Sequence, residues 1–219
     1  SEEVTQVNPS TLMSDMGMYS DDQIKAVAST GMASMDVWSE MIDNDEIIKN
    51  QYDVIAGKLP EKYDEVILIV NEHNEIDDYV LYTLGILDSS EIEGLMKKML
   101  MGEEININTE QQEYTYDELL DLEFKLVAPT DRFQKDGEVW KDMSLDEEFM
   151  KKTVDNGTTI KVVGIVRPSE DASAASIAGS IGYRHDLTTY LLDQVKKSEI
   201  VKAQQATPDL DIFTGLKFA

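Results

Sequence analysis

Five consecutive apolar residues, Val66 to Val70, follow the polar, turn-rich stretch from Tyr52 to Glu65. An unbroken apolar run of that length, set off by the turn residues Gly57, Lys58, Leu59 and Pro60, predicts a strand buried on both faces. TTIKVVGIVRP, entered through Asn156-Gly157 and ended by Pro168, predicts a second strong strand. Within it Gly164 interrupts a β-branched run, which marks a bulge or a close backbone approach. FKLVA (Phe124 to Ala128), VTQV (Val4 to Val7) and SIGYRH (Ser180 to His185) read as shorter strands.

Helical spacing appears at Ile76, Tyr79, Val80 and Leu84, with Gly85 as the stop. Asp88 and Glu91 form a capping box ahead of Ile92, Leu95, Met96 and Met99, predicting a helix that ends at Gly102. Glu103 to Glu113 reads as a loop or edge hairpin, and Thr115 with Glu118 caps a short helix through Leu120. Asp136-Gly137 predicts a chain reversal. Ser144 and Glu147 cap a helix carrying Leu145 and Phe149. Asp36 to Ile48 is helix-like. A long helix is expected from Asp186 to about Ala206, with Leu187, Tyr190, Leu191 and Val195 on one face and Lys196, Lys197 and Lys202 toward its C-terminal end. The small, polar stretch Ser169 to Ser180 reads as a flexible loop. Strands and helices do not alternate strictly, so the expected class is α+β, a mixed sheet packed with helices. One domain, or a fragment of a larger region, is expected over residues 1–219, with 1–51 the least legible part.

Composition narrows the functions. Asp plus Glu number 44 against 19 Lys plus Arg, a formal charge of −25. A field of that sign repels phosphate backbones and anionic headgroups, so nucleic acid is not an expected partner. The chain has no cysteine, which removes disulfides, thiolate nucleophiles and cysteine zinc sites together. No segment reaches the roughly 18 apolar residues of a membrane helix. The chain opens SEEVTQVNPS without an initiator methionine or signal-peptide pattern, so Ser1 reads as a processed or excised end. Met13, Met16, Met18, Met32, Met35 and Met41 read as gap-filling core residues.

Candidate chemistry is sparse. The two histidines, His73 in an acidic loop and His185 at a helix start, lack a nucleophile elbow, since Gly179-Ser180-Ile181-Gly182 has the wrong spacing. Acidic groups at Asp43, Asp45 and Glu46, at Glu75, Asp77 and Asp78, and at Asp131 and Asp136 lack the ligand alternation of a calcium loop. Gly179 and Gly182 lack the Lys-Ser/Thr pair of a phosphate loop. Asn156-Gly157-Thr158 matches a glycosylation sequon. Catalytic, cofactor and metal sites are therefore expected to be none, and no cofactor is expected.

Three segments carry a resemblance. AGKLPEKYDEVILIVNEHNEIDDYVLYTLGI, IKVVGIVRPSEDASAASIAGSIGY and SEIVKAQQATPDLDIFTGLKF occur in the order found in extracellular regions of MacB-like and FtsX-like ABC transporter permeases. The third segment is similar to Gram-positive members in particular. The resemblance covers most of the chain from Tyr52 onward and marks Tyr52, Gly57, Leu59, Pro60, Glu65, Tyr82, Gly85, Gly164, Gly182 and Tyr183 as framework positions.

What the resemblance implies is a noncatalytic domain with MacB-like architecture, inserted between the first and second membrane helices of a permease. It would lie on the extracellular face of the bacterial membrane. Its partners would be the permease helices, a cytosolic ATPase and a cationic peptide or lipid-linked substrate. The competing expectation is a free-standing cell-surface module that binds a cationic peptide or glycan. An uncharacterised hydrolase ranks third.

Overall fold

The computed structural model describes residues 4–7, 37–88, 113–170, 172, 177 and 180–218. Its centre is a mixed sheet built from β1 (Trp38–Glu40), β2 (Tyr52–Gly57), β3 (Glu65–Ile69), β4 (Glu123–Leu126), β7 (Thr158–Pro168) and β8 (Ile181–Tyr183). A separate two-stranded hairpin joins β5 (Phe133–Asp136) to β6 (Val139–Asp142). Six helices accompany them among the described residues: α1 (Asp45–Gln51), α2 (Asp78–Thr83), α3 (Tyr116–Leu120), α4 (Glu147–Asp155), α5 (His185–Lys197) and α6 (Glu199–Ala206). This is an α+β fold.

The sheet runs β1-β8-β3-β7-β2, with β4 also on β7. β1 is parallel to β8 and β3 to β7, while the other pairs are antiparallel. The eleven-residue β7 organises the whole. Along one edge it carries β3; its other edge is shared, with β4 pairing Thr158 to Lys161 and β2 pairing Gly164 to Pro168.

The expected burial of the apolar run on both faces is observed. Val66, Ile67 and Leu68 are all fully buried. Alternation sends Val66 and Leu68 to one face with Ile160, Val162 and Ile165 of β7, under Val80 and Leu84 of α2, Leu119 of α3 and Leu187 of α5. Ile67 and Val166 face the other way, onto Met41, Ile48 of α1, Tyr52 and Ile177. Trp140 of β6, Ile200 of α6 and Ile212 form a third, smaller cluster, in which the segment after α6 is held by the bond from Trp140 N to Ile212 O at 2.9 Å.

Several sequence expectations need correction. The helix expected over Asp36 to Ile48 is β1 followed by α1, because Asn44 accepts from the Glu46 and Ile47 amides and starts the helix there. Val4 to Gln6 carry no regular structure, and Val7 has a single bridge. Ser144 does not cap α4. The cap is Asp146, which accepts from Phe149 N, while the Ser144 hydroxyl bonds Asp142 and Leu145 lies outside the helix and exposed. The long C-terminal helix is two helices, since Ser198 is extended and its hydroxyl caps α6 through Val201 N. Strands β2, β5 and β6 were not anticipated. The helix expected between Asp88 and Gly102 and the loop after it fall on residues 89–112, outside the described residues. Most of the loop Ser169 to Ser180 also lies outside them.

No helix among the described residues is long and apolar enough to cross a membrane.

Candidate functional site

β2 leaves the sheet at Gly57 directly over Gly164 of β7, and this crossing sets the position of the turn that follows. Lys58 N donates to Val163 O at 2.9 Å, so the ladder holds through the first turn residue. A Cβ on Gly164 would overlap the Lys58 carbonyl oxygen, and one on Gly57, which has φ +70°, would overlap the Val163 carbonyl oxygen. Val163 is an extra residue in β7 relative to β3, where the register shifts between Val66 and Ile67. The interruption at Gly164 therefore marks both a bulge and a close backbone approach.

Beyond the crossing, Glu65 closes the turn on itself. One carboxylate oxygen accepts from Glu61 N at 2.7 Å and Lys62 N at 3.2 Å, and the other pairs with Lys58 Nζ at 3.2 Å. Burial pushes the Glu65 carboxyl up, but the donors together outweigh it and hold the group below its ordinary value. Leu59 packs onto the cluster of Met41, Ile48 and Tyr52, and Pro60 is buried.

This turn meets two other joints, β1 to α1 and β8 to α5. Arg184, at the second, reaches all three: its guanidinium lies 3.4 Å from Pro60 O, 3.5 Å from Asp45 at the start of α1, and 3.2 Å from Asp186. Arg184 gives α5 no side-chain cap. Glu40 of β1 meets the first turn of α5 through side chains only, accepting from Thr188 Oγ1 at 2.5 Å with His185 Nδ1 2.8 Å away. The N-terminal end of a helix favours such an anion. The Thr188 bond, then the His185 contact, lower the Glu40 carboxyl, and Glu40 in turn raises His185, with Asp43 and Asp186 adding to it. A small recess of ≈ 20 Å³ lies at this meeting point, with Met41, Leu59 and Pro60 in its floor and Asp43, Arg184 and His185 at its rim.

The framework positions fall into two groups. Gly57 and Gly164 face each other, Leu59, Pro60 and Glu65 form the turn, and Gly182 sits where a Cβ would come 2.9 Å from Ile67 Cγ1. Tyr183 pairs with Glu40 and Val66, and Tyr52 is buried beneath, its hydroxyl accepting from Ile177 N at 3.0 Å. Tyr82 and Gly85 lie apart, on α2 and just past its end. Glu40, Arg184 and Thr188 were not singled out in the sequence. Arg184 follows directly on the SIGY segment, but nothing local distinguishes it from other surface cations.

The chemistry available here is ionic and structural. His185 is engaged by Glu40, and His73 lies on the exposed loop after β3, 3.5 Å from Glu72. Among the described residues no three of His, Asp and Glu gather to hold a metal ion. The arrangement ties the turn before β3 and the two strand-to-helix joints together through Arg184. No family model, curated protein or solved structure matches the chain.

Proposed function

We propose that the chain is a noncatalytic extracellular domain of a MacB-like or FtsX-like ABC transporter permease, which contacts substrate or a partner and follows ATP-driven motion of the membrane helices. The observation that supports this reading is spatial. Two of the three quoted segments, separate in sequence, contribute β3, β7 and β8, three neighbouring strands at the centre of one sheet, while the third supplies α6, outside it. The turn before β3 and the joint after β8 then meet through Arg184 and Pro60 O. The positions carrying the resemblance thus belong largely to one mechanical unit. A domain that transmits motion without making or breaking bonds needs such a unit, because packed interiors resist continuous deformation. Its location in this reading is the extracellular face of a bacterial membrane, with a cationic peptide or lipid-linked compound as substrate.

The net charge of −25 favours a second reading, a free-standing cell-surface module for a cationic peptide or glycan. The two separate in the parent polypeptide. If the permease reading holds, affinity purification of that polypeptide from detergent-solubilised membranes brings down an ATP-binding subunit in stoichiometric amount. A parent polypeptide recovered without membrane helices or an ATPase, and anchored to the cell wall or by a lipid, would support the module instead.

A further inference from the structure

An open groove of ≈ 380 Å³ lies away from the ionic corner, between the loop after β4, the turn from α4 into β7 and the C-terminal half of α5. Its volume falls within the roughly 300–1,000 Å³ of small-molecule sites. The turn from α4 into β7 is tightly seated, since a Cβ on Gly157 would come 2.8 Å from Leu126 O and 3.0 Å from Val154 O.

One wall is apolar and aromatic, formed by Leu191 and Tyr190 of α5. The Tyr190 ring is fixed at both ends: it stacks on Tyr63 with centroids 4.2 Å apart, and its hydroxyl lies 2.9 Å from Thr158 Oγ1. Most of the rest of the lining is polar, with Asp131, Asn156 and Thr158 from the loop after β4 and the turn into β7, and Gln194 and Lys197 from α5 itself. Asp131 uses Oδ2 to accept from Ala128 N at 3.1 Å, and Asn156 uses Nδ2 to donate to Lys152 O at 2.7 Å, so Asp131 has its second carboxylate oxygen and Asn156 its amide oxygen outside these bonds. Gln194 and Lys197 are exposed, and neither has a side-chain hydrogen bond or ion pair among the described residues.

Charge selects the ligand class. The groove holds one acid and one base, Asp131 and Lys197, in a protein of net charge −25. A cation would meet Lys197, and an anion would meet Asp131 and the field of the whole molecule. A neutral molecule with an apolar face and a ring of hydroxyls suits an aromatic and apolar patch bordered by planar amides, which accept and donate in their own plane, and by a carboxylate, which accepts. We propose that this groove binds a neutral saccharide, with the C–H face of a sugar ring on Tyr190 and Leu191 and its hydroxyls on Asp131, Asn156 and Gln194. The proposal does not depend on the transporter reading.

Saturation-transfer NMR on the chain, with cellobiose, maltose and N,N'-diacetylchitobiose as probes, tests it. At least one should bind with Kd on the order of 1 mM or tighter. Gln194→Ala, at an exposed helix position where alanine is a good helix former, should weaken that binding about tenfold while leaving the amide spectrum otherwise unchanged. Absence of transfer from all three probes at about 10 mM, binding unaltered in Gln194→Ala, or displacement of the bound saccharide by tetralysine would each overturn the proposal.

Discussion

Gly164 and Gly85 are both glycines at chain reversals or crossings, yet their surroundings make them unequal. A side chain at Gly164 meets the Lys58 carbonyl, which is backbone held by its own ladder bond and cannot swing aside. At Gly85, φ is +70° and nothing lies within 4 Å of a built Cβ. Gly164→Val should therefore cost about 3 kcal/mol by overpacking, whereas Gly85→Ala should cost only the left-handed backbone penalty of about 1 to 2 kcal/mol. Urea midpoints of the two variants compare them directly, and equal shifts would contradict the crossing. The interruption at Gly164 was legible in the sequence because it breaks a β-branched run. Its partner Gly57 read only as a turn, since nothing local announces which distant strand a turn crosses. The Glu40 and His185 pair was not legible for the same reason. Its pH behaviour follows from the two shifts. His185 lies above its ordinary 6.5, so its contribution is complete below that value and is lost as pH rises through the raised one. Glu40 lies below its ordinary 4.5, so its contribution is present above that value and is lost as pH falls through the lowered one. The contact between β1 and α5 is thus complete between about 4.5 and 6.5. In an NMR titration of the His185 ring, Glu40→Gln should move its midpoint down toward the ordinary value, and an unmoved midpoint would show that the pair does not form.

At the scale of elements, legibility followed burial. Val66 to Leu68 of β3 and Val162, Ile165 and Val166 of β7 are buried, so these stretches are apolar apart from Gly164 and announce themselves. β2 spends exposed positions on Asp53 and Val54, and β5 and β6 have one buried residue between them, Trp140, so neither apolar runs nor clean alternation reveal them. Helix starts were legible where the cap chemistry was unambiguous, as in the reciprocal Thr115 and Glu118 bonds of α3. They were misplaced where two candidates competed. Ser144 matched the capping box, but the chain enters α4 two residues later, where Asp146 has the extended backbone and the bond to Phe149 N. Asp146→Ala should accordingly lower stability by about 1 kcal/mol, while Ser144→Ala, on the exposed turn, should stay within about 0.5 kcal/mol of the parent. A thermal or urea series that reverses the order would return the cap to Ser144. In the C-terminal half, Ser198 was read as an interior helix residue. Its hydroxyl instead bonds Val195 O and starts α6, allowing α6 to turn toward Trp140.

At the scale of the whole molecule, one long strand ties the structure together, with β3 along one edge and β2 and β4 sharing the other. Such a body should respond to force by rotating about its connections and not by changing shape. That is the central mechanical claim of the transporter reading, and the absence of cysteine makes it accessible, because a cysteine introduced into this chain is its only one. Spin labels at Lys49→Cys on α1 and Asp193→Cys on α5, both exposed, report the distance inside the domain. A label at either site paired with one on a permease membrane helix reports the distance between the domain and the membrane. In reconstituted transporter that hydrolyses ATP, the internal distance should be the same with and without nucleotide, while the distance to the membrane helix should change. Identical distributions for the second pair in both states, or a shift in the first, would contradict the account of a rigid domain moved by ATP binding on the opposite side of the membrane.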